Sequence, residues 1–102
     1  MAKIFLDPYD SSEESKNYIN ELAETILYGI KDGTYSWEDD YDGYVVPIED
    51  LKYDFPDDNE ELASIGEKLA NALPEQAEEL GINTQLGDDP SVAFEGSIIV
   101  VS

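Results

Sequence analysis

Two stretches of the chain carry apolar residues at helical spacing, and this pattern constrains the fold more than any other feature. The first stripe consists of Ile19, Leu22, Ala23, Ile26, Leu27 and Ile30, and the second of Leu62, Ile65, Gly66, Leu69, Ala70 and Leu73. Residues at these intervals share one face of an α-helix, so each stripe predicts an amphipathic helix. Ser11 with Glu14 forms a capping box before the first helix, Ser12 is the alternative cap, and Gly33 suits the carboxyl end.

The second helix is expected to begin at one of residues 57–59. Pro74 lacks a backbone N–H and disfavours the helix interior. It therefore either ends this helix or opens a short third helix over 74–81, which Gly81 would close.

Short runs rich in β-branched and aromatic residues predict strands at 3–6, 33–37, 44–48 and 97–101. The middle two flank an acidic turn and form a hairpin, and the last is a near-continuous apolar run typical of a buried central strand. Segment 48–58 is a connector with room for one more short strand, and 82–91 is loop-like. The order predicts an α+β fold, with a small, mostly antiparallel sheet and two or three amphipathic helices on one face, in a single acidic domain over 1–102.

The net charge is the second strong feature. Twenty-five acids face five basic residues, all lysines, and the net charge is −20. Such an excess costs folding stability through repulsion, and a charge of about 2–8 already suffices for solubility. Three explanations stay open: a positively charged partner, metal binding, or a high-salt habitat.

Missing residue types exclude several classes of function. The chain contains no histidine, no cysteine and no arginine. Hydrolytic triads, zinc sites and disulfides are therefore not expected, and we predict no catalytic residues and no cofactor. Direct nucleic-acid binding needs clustered positive charge, which the chain lacks. With no membrane-spanning run and no apolar secretory signal core, the sequence predicts a cytoplasmic protein away from membranes, and it leaves a homodimer open.

The segment 38–49 has the spacing of a calcium loop. Glu38, Asp40 and Asp42 take positions one, three and five of a twelve-residue loop, and Gly43 and Glu49 take positions six and twelve. This resembles an EF-hand loop, over those twelve residues only. Strand-like residues before the loop and a proline at position ten conflict with the helices an EF-hand needs. We therefore interpret the segment as an acidic hairpin and keep calcium as an alternative.

Over its whole length, the chain is similar in charge and size to DNA-mimic antagonists of phages and mobile elements, such as anti-restriction and anti-CRISPR proteins and inhibitors of DNA-repair enzymes. The resemblance rests on the −20 charge and the length, not on a motif. DNA carries one charge per ~1.7 Å, so twenty charges match about 34 Å of duplex. The resemblance implies a non-enzymatic inhibitor whose carboxylates occupy the basic nucleic-acid-binding site of a target such as a host defence nuclease or a CRISPR effector.

Other functions fit the same charge. An immunity protein or antitoxin for a basic nuclease toxin would present the same surface. An enzyme with paired carboxylates, or a carboxylate cluster holding Mg²⁺, is an alternative that no particular pair of residues supports. Halophilic adaptation and a generic acidic domain complete the list.

The predicted partner-binding residues are the acids of the densest segment, those of the first helix, and the aromatics beside the hairpin. The acids are Glu38, Asp39, Asp40, Asp42, Asp54, Asp57, Asp58, Glu60 and Glu61, together with Glu14, Glu21 and Glu24; the aromatics are Trp37, Tyr41 and Tyr44. Aromatic side chains among charges often anchor protein interfaces. We expect the hairpin tip and the start of the second helix to form one continuous negative patch.

Overall fold

The computed structural model describes residues 3–10, 12–87 and 89–102. In chain order its elements are β1 (Ile4–Phe5), α1 (Glu13–Asp32), β2 (Trp37–Glu38), β3 (Gly43–Pro47), a 3-10 turn (Ile48–Asp50), β4 (Tyr53–Asp54), α2 (Asn59–Leu80), β5 (Val92–Glu95) and β6 (Ile98–Val101). The predicted α+β class is confirmed: within these residues, two helices accompany a four-stranded antiparallel sheet and a small parallel pair.

Helix α1 begins where the sequence predicts. The hydroxyl of Ser12 accepts a hydrogen bond from the backbone N–H of Ser15 (3.2 Å), so Ser12 is the N-cap. Ser12 is the alternative cap in the sequence prediction, and the capping box of Ser11 with Glu14 involves a residue outside those that the structure describes. At the other end Gly33 adopts the left-handed conformation (φ 82°) that closes a helix.

Helix α2 runs through Pro74 without interruption, so both expectations for that residue are wrong. The predicted third helix over 74–81 is the last part of α2, which ends at Gly81 in a left-handed cap. Beyond the proline, Ala77 and Leu80 continue the apolar stripe and pack against the core. This packing offsets the cost of a proline in a helix interior, about 3 kcal/mol.

The antiparallel sheet has the strand order β2-β3-β6-β5. Strand β6 is central and buried, as its apolar run predicts. Strand β5, which the sequence analysis did not identify, follows the loop at 82–91 and joins β6 through a two-residue turn. Gly96 has a φ of 63° in that turn, which favours glycine.

Strands β1 and β4 form a separate parallel pair, in which Ile4 lies opposite Tyr53 and Phe5 opposite Asp54. The backbone N–H of Ile4 donates to the carbonyl of Lys52 (2.9 Å). The further short strand expected in the 48–58 connector is therefore present, but it pairs with β1 and does not join the main sheet.

One face of the main sheet packs on the helices. Tyr44, Val46, Ile99 and Val101 alternate along β3 and β6 and join the helix stripes in one core. The radius of gyration is 12.7 Å, and the principal extents are 30 × 29 × 28 Å. The molecule is thus about as wide as one turn of duplex DNA is long.

Candidate functional site: an acidic surface in separate clusters

The acids of the described residues lie at the surface. Among the 24 of them, which are all except Asp88, none is buried, and only Glu24 and Glu61 are half-buried. In the described part of the chain one ion pair occurs, between Lys52 Nζ and Glu21 Oε2 at 3.6 Å. The negative charge is therefore displayed to solvent and is scarcely neutralised within the protein.

The hairpin tip holds the four carboxylates that we call the tip acids: Glu38, Asp39, Asp40 and Asp42. Glu38 pairs with Gly43 at the end of the β2–β3 ladder, so residues 39–42 form the connecting loop. The N–H of Tyr41 donates to the carbonyl of Glu38 (3.1 Å), and that of Asp42 to the carbonyl of Asp39 (3.3 Å). These successive turns hold the exposed carboxylates of Asp39, Asp40 and Asp42 on one short loop, next to that of Glu38 at the end of β2.

Two backbone features shape this tip. Asp42 has a φ of 55°, a left-handed conformation that aspartate tolerates better than most residues. Gly43 lies against β6, where an added Cβ would be 2.7 Å from the carbonyl oxygen of Val101. Glycine is required there because the two strands approach closely, so the glycine at the sixth position of the calcium-like spacing has a structural role in the sheet.

The calcium alternative does not gain support from this geometry. The loop lies between strands β2 and β3, whereas an EF-hand loop lies between helices. Glu49, the proposed last ligand, belongs to the 3-10 turn beyond β3. Within residues 3–10, 12–87 and 89–102, no three acidic side chains are grouped so that they could hold a metal ion.

The three aromatic residues near the tip differ in exposure. Tyr41 is 47% exposed, whereas Tyr44 is 6% exposed and lies in the core. The Tyr44 hydroxyl accepts a hydrogen bond from the N–H of Gln85 (3.0 Å). Trp37 is half-buried and meets Tyr44 edge-to-face, with ring centroids 5.2 Å apart. Tyr44 therefore anchors the hairpin to the core, and Tyr41 is the most exposed of the three aromatic side chains that a partner could contact.

A second group, the α2-start acids, consists of Asp54, Asp57, Asp58, Glu60 and Glu61. Asp58 is the N-cap of α2, and its carboxylate accepts from the N–H groups of Glu60 (2.7 Å) and Glu61 (3.3 Å). Its negative charge also suits the positive end of the helix dipole. Asp58 thus has a structural role in addition to its place at the surface.

The tip acids and the α2-start acids lie at opposite ends of β3, so the continuous patch expected from the sequence would have to extend along the whole of that strand. Asp57 and Asn59 line a groove with Ile48 and Gly96, which lie beyond the Pro47 end of β3. The tip lies beyond the Gly43 end. Five strand residues separate the two, about 13 Å at the usual rise per residue.

The predicted acids of α1 are partly engaged within the protein. Glu14 accepts a hydrogen bond from the Tyr18 hydroxyl (2.6 Å), and Glu21 accepts one from the Tyr53 hydroxyl (3.0 Å). The hydrogen bond to Glu14 raises the pKa of Tyr18. Burial, and then the bond to Glu21, raise the pKa of Tyr53 well above its ordinary value. Glu24 is half-buried. The predicted acids of α1 are therefore less available to a partner than the tip acids.

The groove at the start of α2 was not found by sequence reasoning. Its apolar floor is formed by Ile48, Phe55, Pro56, Leu62 and Phe94, and Asp54 and Asp57 lie at its edge. Phe94 belongs to β5, and the alternation of apolar and other residues over Val92–Glu95, just before Gly96, could have predicted this strand. The volume of the groove is about 420 Å³.

Neither described helix contains a stretch long and apolar enough to cross a membrane. Comparisons with protein-family models, with curated proteins and with solved structures found no match to this chain.

Proposed function

We propose that this protein is a non-enzymatic inhibitor that presents its carboxylates to the basic nucleic-acid-binding site of a target protein in the cytoplasm. The observation that carries the proposal is the display of charge: the described acids lie at the surface, with one internal ion pair among them. Carboxylates in these positions can stand in for DNA phosphates and pair with lysine and arginine side chains of the target.

The tip acids are the part of this surface best suited to enter such a site. They lie exposed at the end of the β2–β3 hairpin, and the whole segment from residue 32 to residue 51 contains no basic residue. Tyr41 is exposed among them and supplies an aromatic contact. Exposed charge of one sign speeds association with a basic site, and the resulting complex weakens as salt is added.

The proposal is tested by charge reversal at the tip with a matched control. The test variant carries Asp39→Lys, Asp40→Lys and Asp42→Asn, because asparagine keeps the left-handed backbone that position 42 requires. The control carries Glu67→Lys, Glu75→Lys and Glu78→Gln, three exposed acids on α2 with the same change of net charge.

Both variants and the parent chain are used to capture proteins from a lysate of the source cell. We expect the parent and the control to retain one nucleic-acid-binding protein that the tip variant loses, with circular dichroism unchanged in all three. Equal retention by the tip variant and the parent would contradict the assignment of the tip.

A further inference from the structure

The groove at the start of α2 combines an apolar floor with an acidic rim. Four separate parts of the chain supply the floor: Ile48 after β3, Phe55 and Pro56 after β4, Leu62 in the first turns of α2, and Phe94 on β5. All five side chains are half-buried. The rings of Phe55 and Phe94 meet at 5.3 Å with a tilt of 56°. Part of a large apolar surface therefore remains open to solvent.

The charge around this floor has one sign. Asp54 and Asp57 line the groove, and none of the described lining residues is a lysine. Further exposed acids adjoin the lining residues in sequence: Glu49, Asp58 and Glu95. The nearest basic residue in the chain, Lys52, places its ammonium beside Glu21 and over the Tyr53 ring. An occupant must therefore bring positive charge to the rim and an apolar group to the floor.

From this complementarity we infer that the groove binds a basic polypeptide segment that carries one large apolar side chain between lysine or arginine residues. A second copy of this chain would bring its own −20 charge and be repelled. A segment of polypeptide can place cations on both sides of a central apolar group, as the distribution of acids over several elements requires. The volume of about 420 Å³ is ample for one such side chain.

This inference deepens the proposed function, because it rests on a basic partner and adds an apolar anchor about 13 Å or more from the tip acids. Electrostatic complementarity speeds the encounter more than it adds affinity. A buried apolar anchor supplies the affinity that charge alone does not, so partners that carry a fitting side chain are held longest. The groove would thus decide which basic protein is held after electrostatic encounter.

Two synthetic peptides test the inference. Both are short lysine/arginine peptides; one carries a central leucine and the other a central alanine. We expect the leucine peptide to bind roughly tenfold more tightly, because burial of the larger side chain adds affinity. In amide spectra of the labelled protein, its shifts should cluster at residues 48, 55–62 and 94–96. Equal affinity of the two peptides, no binding, or shifts confined to the tip would overturn the inference.

Variants at the groove keep the test independent of folding. Phe55→Ala should remove the preference for leucine, with Tyr28→Ala, an exposed aromatic on α1, as the control. Because Phe55 also packs against the core, a second variant reverses charge at exposed positions, Asp54→Lys with Asp57→Lys. Its control is Glu78→Lys with Glu79→Lys.

We expect the groove variants to lose the leucine preference while both controls keep it. A groove charge variant that binds the leucine peptide like its control would refute the groove site. The two proposals fail separately. Peptides that bind through charge alone contradict the groove but leave the inhibitor proposal standing. In the opposite case the groove selects the leucine peptide, but the tip variant captures the same partners as the parent chain. That result contradicts only the assignment of the tip.

Discussion

The Tyr53 hydroxyl donates a hydrogen bond to the carboxylate of Glu21 over 3.0 Å, and this bond joins β4 to α1. Tyr53 is 1% exposed, and Glu21 also pairs with Lys52. One of the acids predicted to bind a partner is therefore also part of the internal structure. The contact couples the acidic surface of α1 to the small parallel pair of strands.

Removal of the Tyr53 hydroxyl should destabilise the fold. We expect Tyr53→Phe to lower the free energy of unfolding by about 1 kcal/mol, because the hydrogen bond is lost while the ring still packs. Urea unfolding measures this directly. Tyr18→Phe is the control, since its hydroxyl bonds to Glu14 at an exposed site and should contribute less. A Tyr53→Phe protein as stable as the parent would show that the bond adds nothing.

Alkaline pH should weaken the fold through the same residue. The pKa of Tyr53 is raised in the folded protein, so the folded state favours the neutral phenol. Its contribution is complete below the unfolded pKa, about 10, and is lost as the pH rises through the folded pKa. We expect the free energy of unfolding to fall above about pH 10. The fall should be shallower in Tyr53→Phe than in the parent or in exposed Tyr9→Phe, and identical slopes would contradict this assignment.

The close approach of Gly43 to β6 predicts a cost for any side chain there. A Cβ at this position would lie 2.7 Å from the carbonyl oxygen of Val101, so Gly43→Ala should destabilise the protein by about 1–3 kcal/mol. Gly87→Ala is a matched control, because an added Cβ there meets no atom within 4 Å. Thermal unfolding of the two variants should differ clearly. Equal midpoints would mean that β6 shifts without cost.

Salt should stabilise this protein by screening its own repulsion. The Debye length falls from about 10 Å at 0.1 M to about 3 Å at 1 M salt. We expect added NaCl to raise the unfolding midpoint by several degrees while the chain is already folded at low salt. Circular dichroism at low ionic strength checks this. A chain that is unfolded at low salt and folds only in molar KCl would favour the halophilic explanation of its charge.

The helices and the central strand were predictable because their signals are local and periodic. The stripe from Ile19 to Ile30 repeats over three turns, and the cap at Ser12 adds a second signal. The prediction at Pro74 was wrong because it used only the local cost of a proline in a helix, whereas residues beyond Pro74 pack against the core and keep the helix intact. The parallel pairing of Ile4 with Tyr53 depends on how α1 packs and has no local signature.

The site was predictable in composition but not in arrangement. A count of acids identifies the tip and the start of α2 as charged segments, whereas the length of β3 decides that they lie apart. Tyr44 and Tyr41 look alike in sequence, but strand alternation buries the first and the turn exposes the second. The groove could not be predicted without knowing the position of Phe94. The pairing of β5 with β6 places this residue beside Phe55, which is distant in sequence.

The central claim is that this acidic surface substitutes for nucleic acid, so the protein and duplex DNA should compete for one site on the partner. The direct measurement is the affinity of the protein for its captured basic partner, titrated at fixed salt with increasing duplex DNA. If both occupy one basic site, the apparent Kd should rise linearly with the DNA concentration from its value without DNA, and no ternary complex should form. An apparent Kd that does not change with DNA, together with a ternary complex, would contradict the claim.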